Sequence, residues 1–284
     1  MPAIENTTPF AVATFGMLDA QAREYVVLII NASYEARPGG GLTIAQEQLA
    51  VTPVDLHWGD PAATSIRVPG QMALAKQAVD LIVTGHAVAP RGRAVTEMQI
   101  GVRMGDVRKA LVVCGDRFWK SGVAGRRPSS PRPFERMPVV YERAFGGGAL
   151  ASRATAFEPR NPVGVGLEGA AVDQSIQTEL PNVEYADDRQ LSPGERHRPA
   201  GLGAIGPAWQ PRVGFAGTYD AAWLERQAPL LPEDFDSRFF QVAPPDQQCR
   251  RPVKAGDLVQ VAGMTPEGQW ELSLPALDVP VTLL

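Results

Sequence analysis

Proline and glycine punctuate this chain too often for long helices to form. The 26 prolines and 28 glycines make up roughly a fifth of the 284 residues, above the usual share but below the level of low-complexity sequence. Each proline removes a backbone donor and clashes with the preceding helical turn. Strands, turns and short helices are therefore the elements such a chain can build.

The strand signals are spaced along the chain. Tyr25 to Ser33 is short, β-branched and bounded by charged and turn residues, which predicts a buried strand. Asp80 to Val88 repeats that pattern. Between Val95 and Met104 the apolar side chains fall at alternate positions, Met98, Ile100, Val102 and Met104, with Glu97, Gln99 and Arg103 opposite. That is the period of a strand with one buried face. Gly105-Asp106 joins it to a second apolar run, Val107 to Cys114, so the pair reads as a β-hairpin. Nearer the C-terminus, Asp257 to Ala262, Gln269 to Leu274 and Val279 to Leu283 are three more strand candidates, with a turn at Pro266 to Gly268 between the first two.

Residues 120–217 hold few apolar runs and many turn residues, as in Arg126 to Pro133 and Asn161 to Gly166. A short helix is expected at Tyr219 to Gln227, with Thr218 as a possible N-cap and Asp220 in its first turn. Strands without intervening amphipathic helices imply a mainly β fold, an antiparallel β-sandwich or barrel-like sheets with long ordered Pro/Gly-rich loops and few short helices. We expect a single domain over residues 1–284, β-rich at 1–118, with a loop-rich insertion at 119–250 and C-terminal strands at 251–284.

Within that insertion, Gly201 to Gln248 crowds two Trp, one Tyr and four Phe among prolines and glycines without helical or strand period. Disordered chain is poor in aromatics, because it cannot bury enough apolar surface to offset the entropy of ordering. The segment is therefore an ordered loop layer, and ordered long loops are usually functional.

Composition narrows the partners. A formal charge of −4 gives no basic field, so neither nucleic acid nor an anionic membrane is expected as a general partner. Cys114 and Cys249 are the only cysteines, which suits a reducing cytoplasm. The N-terminal residues lack the apolar core of a secretory signal, and the longest apolar run, Tyr25 to Ile30, is too short to cross a bilayer. Cytoplasmic residence is the expectation.

Several motifs invite a chemical reading that their context refuses. Gly201, Gly203 and Gly206 match the dinucleotide pattern GxGxxG. No strand pattern precedes them, and Pro207 and Pro211 bracket what would be the helix, so a close-packing glycine turn is expected. His57, His86 and Cys114 fit no ligand or nucleophile spacing, and His197 is expected to be solvated in its basic loop. Glu233, Asp234 and Asp236 follow Pro232 and read as turn or capping carboxylates. Arg126, Arg127, Arg132, Arg136 and Arg143 make a basic segment with two readings. It is either a solvated loop paired with Glu135 and Glu142, or a contact patch built with Trp119, Phe134, Tyr141 and Phe145. No catalytic residue, metal ligand, cofactor or small-molecule substrate is assigned.

The stretches Lys109 to Trp119 (KALVVCGDRFW) and Phe134 to Gly147 (FERMPVVYERAFGG) resemble the domain of unknown function 2169 family. So do TGHAVAPRG from Thr84, NPVGVG from Asn161, LPNVE from Leu180, WQPR from Trp209, AGTYD from Ala216, LPEDFD from Leu231 and APPDQ from Ala243. Members often continue past the point where this chain stops. The resemblance implies a type VI secretion accessory protein, an adaptor or chaperone that binds an effector and helps load it onto the VgrG or PAAR spike. On that reading Trp119, Arg143, Phe145, Trp209, Arg212, Tyr219, Trp223 and Phe235 include the partner contacts, each weighed against a role in tying the loops to the sheet. Two other classes stand beside it. A hydrolase-like enzyme would use Asp116, Glu233 or Asp234 as acid or base, and a carbohydrate-binding β-sandwich would show a planar row of exposed aromatics.

Overall fold

The computed structural model describes residues 4–37, 41–123, 125–148, 157–167 and 178–282. Strand makes up 33% and helix 9% of the described residues, so the fold is mainly β, as the frequency of proline and glycine requires. Among the described residues the one α-helix, α1, spans Ala221–Arg226.

The organising element is the hairpin that alternation predicts. Its strands, Glu97–Met104 and Val107–Cys114, pair antiparallel from Met104↔Val107 to Glu97↔Cys114. Gly105 supplies a φ of 60° at the turn, where a side chain would be strained and would also meet the Cys249 sulfur. On either side lie Leu258–Ala262, then Gln269–Ser273, and on the far edge Val183–Glu184, giving a five-stranded antiparallel sheet. Ile100, Val102, Met104, Val107, Leu111 and Val113 are buried on one face. Leu81, Ala87, Phe134, Met137, Val139, Leu202 and Cys249 pack over them. Burial of each such Ile, Leu or Val is worth roughly 1.5–3 kcal/mol, which makes this face the main source of cohesion.

One residue breaks the alternation. Lys109 lies on the buried face with its side chain only 2% exposed, and its ammonium is 2.8 Å from Asp246 and over the Tyr185 ring. A buried charge is tolerated when it is paired. Burial pushes this ammonium below its usual range, and Asp246 opposes that shift.

The layer over the sheet is built of short pieces. Val79–Asp80 pairs with Gln248–Cys249, and His86–Val88 with Arg136–Pro138. The stretch Asp80 to Val88, expected as one strand, is therefore split between two partners. Phe145–Gly146 and Val165–Gly166 form a parallel pair. A hairpin that the sequence did not reveal, Trp119–Gly122 with Gly125–Pro128, occupies part of the stretch read as turns.

The first 80 residues are organised differently. β1 (Ala11–Leu18) pairs with β2 (Glu24–Asn31), β3 (Tyr34–Ala36) with β4 (Leu42–Ile44), and β5 (Leu56–His57) with β6 (Ile66–Val68). Each is a two-stranded ribbon that joins no larger sheet. The expected strand over Tyr25 to Ser33 thus exists as β2, but it is not buried. Tyr25, Val26 and Leu28 are 36%, 60% and 36% exposed, because a lone ribbon has no second layer to cover its outer side.

Two smaller expectations also change. Residues 279–282 form no strand, and Leu283 lies outside the described residues. The N-cap of α1 is Asp220, which accepts a bond from the Trp223 N–H at 2.8 Å, while Thr218 binds Asp234 instead.

Candidate interaction surface

The Gly201 to Gln248 layer is held down by close backbone approach and by amides that bond main chain. A Cβ at Gly201 would lie 2.7 Å from the Tyr141 ring, and one at Gly206 would lie 2.9 Å from the Trp209 indole nitrogen. Tyr141 and Trp209 meet edge to face at 5.4 Å. Gly201 and Gly206 of the GxGxxG pattern therefore make a packing turn, with no strand before and no helix opening on the last of them. Gln247 is buried and donates to Leu81 O at 2.7 Å and Leu202 O at 2.9 Å. Two carboxylates of the segment tie down backbone, one of them as a helix cap. Asp234 accepts from the Thr218 N–H and hydroxyl, and Asp236 from the Arg238 N–H and guanidinium.

The proposed contact residues divide by burial. Trp119, Phe145, Trp209 and Arg212 are buried. Trp119 lies under the Arg126 guanidinium at 5.6 Å, and Phe145 packs on the His197 ring at 5.2 Å. Arg212 donates to Phe239 O and Ile205 O. Arg143 is partly exposed and bridges Asp116 at 3.1 Å and the Asn182 side-chain oxygen at 2.9 Å. Tyr219 is exposed and meets the half-buried Trp223 at 4.7 Å, whose indole donates to Leu230 O. Phe235 is half-buried against Phe239 and Phe240.

Tyr219, Trp223 and Phe235 lie beside two shallow clefts, each of about 360 Å3, that share Glu233. The first is walled by Trp223, Arg226 and Gln227 of α1 and its flank, facing Pro232 and Asp234. Asp19, Arg23, Tyr25, Leu231 and Phe235 line the second, where the β1–β2 turn meets the loop layer. Gln227 pins that turn by donating to Ala20 O at 2.7 Å. Asp19 organises it from within, accepting from the Gln21 and Arg23 N–H groups, the Arg23 guanidinium and the Tyr25 hydroxyl. Burial opposes its charge, but these bonds outweigh it and hold the carboxyl below the usual range.

The larger apolar surface was not anticipated. Thirteen of the twenty-two exposed large hydrophobic side chains among the described residues fall between Ile4 and Val79. Val26, Leu28, Ile44, Leu49, Leu56 and Trp58 are among them, spread over the ribbons and their connections. A signal was present in the sequence. Tyr25 to Ile30 is apolar at consecutive positions, so one set of its side chains must face away from any single covering layer.

Polar groups in the interior are tied to each other. Glu184 accepts from Arg117 at 2.6 Å, from Arg189 and from the Gln190 N–H, and both Arg117 and Glu184 have side chains 3% exposed. His197, expected in solvent, is buried against Phe145 and bonded to Asp188 at 2.7 Å, because Asp188 gathers both it and Arg198 into the loop. Burial pushes the Cys114 thiol up to about 11, as suits an inert thiol at the end of a strand. Asp116 lines neither cleft, and its carboxylate is engaged by Arg143 and Asn182. Among the described residues no group of three or more His, Cys, Asp or Glu could hold a metal ion, and no helix is long and apolar enough to cross a membrane.

Over residues 21–284 the chain matches the model of a family described as "Uncharacterized protein conserved in bacteria (DUF2169)". No curated protein and no solved structure matches it.

Proposed function

We propose that this chain, which belongs to the DUF2169 family of proteins conserved in bacteria, works by binding and not by catalysis. In this reading it is an adaptor that holds a type VI secretion effector in the cytoplasm and helps load it onto the VgrG or PAAR spike. The observation that carries the reading is the concentration of exposed apolar side chains on the ribbons and connections of residues 4–79. Exposed apolar side chains that gather into a patch on a folded protein mark places where another macromolecule sits, and this stretch supplies them in the greatest number.

A two-stranded ribbon is marginal alone in water and gains most from a third layer laid upon it. Here each ribbon offers that vacant side, while the five-stranded sheet and its loop layer provide a rigid base. Gln227 and the cleft at Asp19 and Phe235 fasten the longest ribbon to that base. Tyr219 and Trp223, edge to face beside the same junction, extend the surface with large side chains of low entropy cost. An effector polypeptide with its own apolar face is the occupant that such a surface suits.

Co-expression tests this. An effector encoded beside this protein is expected to gain soluble yield and to co-elute with it. If effector solubility is unchanged and the two never co-elute, the adaptor reading fails.

A further inference from the structure

Arg212 carries a buried positive charge with no carboxylate beside it. The residue is 8% exposed, and the partners of its guanidinium are two main-chain carbonyls, Phe239 O at 2.8 Å and Ile205 O at 3.1 Å, with the Phe239 ring at 5.0 Å. No ion pair reaches it among the described residues. Asp55 and Asp80 favour its charge from further away, but both are committed elsewhere. Asp80 takes Lys76, the Gln241 amide and the N–H groups of Val242 and Ala243, and Asp55 takes the Gly70 N–H. Burial of a charge without a counter-charge is costly, and the remaining cost asks for an anion.

The space for one is present. Arg212 lines a cleft of about 130 Å3 together with Arg238, Arg250, Gln241 and Gln248. Arg238 is neutralised by Asp236 and lies over the Phe215 ring at 4.2 Å. Arg250 is exposed, and its guanidinium has no ion pair or hydrogen bond among the described residues. Two guanidiniums that are not neutralised thus border one small cavity whose lining residues include no acid.

We propose that the cleft between Arg212 and Arg250 binds a small oxyanion, a carboxylate or a phosphate group. Its volume is that of about four water molecules, which admits one such group. Guanidinium is the side chain best matched to either oxyanion, because its N–H groups can bond two oxygens in parallel. The partly buried setting strengthens each of these bonds relative to water. The inference does not rest on the adaptor reading and would hold whatever covers the ribbons.

Thermal denaturation of the full chain tests it, with titrations of sodium phosphate and sodium acetate against sodium chloride at matched ionic strength. A saturable rise in Tm with phosphate or acetate, beyond that with chloride, is expected from binding to the folded state. R250Q should weaken the response about tenfold or more, whereas R103Q, an exposed arginine on the five-stranded sheet, should leave it unchanged. Whichever anion acts at lower concentration identifies the group the cleft takes. Neither anion exceeding chloride, or R250Q responding like the unaltered chain, would overturn the proposal.

Discussion

Glu184 has no contact with solvent worth naming, yet it carries a charge that three donors share. Removing one partner of a buried ion pair leaves the other unpaired, at a cost of about 3–5 kcal/mol. E184A is therefore expected to lower the urea unfolding free energy by that amount, and a loss below about 1 kcal/mol would contradict the role given to the pair. Cys114, close by, gives a pH-dependent expectation. Burial favours the protonated thiol in the folded protein, raising its pKa from 9.0 to about 11. Below pH 9 the thiol is protonated in both states, and its contribution to stability does not vary with pH. Between pH 9 and 11 the unfolded chain releases the proton and the folded one retains it, so stability falls as pH rises. C114A should flatten that fall in urea titrations, and an equal fall in both proteins would contradict it. Residue roles of this kind were only partly legible in the sequence. Cys114 at the end of an apolar strand read as a small buried thiol, and it is buried. His197 read as solvated among Glu195, Arg196 and Arg198, because nothing local announces that Asp188 and Phe145 close over it.

Among the elements, the central hairpin was the most legible, since apolar residues fall at alternate positions from Met98 to Met104 and a glycine marks the turn. β2 was legible as a strand and misleading as to burial. Sequence period reports pairing and facing, whereas cover depends on which layer arrives from elsewhere in the chain. The hairpin Trp119–Gly122 with Gly125–Pro128 was hidden by its own composition, because arginine and proline carry little strand signal. For α1 the sequence located the helix and misassigned its cap. D220A should cost about 1 kcal/mol by urea denaturation, the usual value for losing an N-cap. T218A removes an exposed bond to Asp234 and should cost less, and the reverse order would contradict the assignment.

Taken as a whole, the molecule pairs a well-covered sheet with two-stranded ribbons that leave many apolar side chains exposed. The fold class and the family were legible, because strand period and a series of motifs run through most of the chain. Of the proposed contact residues, Trp119, Phe145, Trp209 and Arg212 are interior, and Arg143, Tyr219, Trp223 and Phe235 retain access. Aromatic and arginine composition alone cannot separate these groups, since the same side chains anchor loops and grip partners. The apolar surface of the ribbons escaped notice for a related reason: each residue there looks like core until its missing layer is known. The adaptor reading makes these ribbons the place of contact. Its most direct test is size-exclusion co-elution of the neighbouring effector with the unaltered chain and with V26E. Val26 is 60% exposed, so V26E should change folding stability by no more than about 1 kcal/mol. The prediction is that the effector co-elutes with the unaltered protein and separates from V26E. Equal co-elution with both would contradict the claim that the ribbon face holds the partner.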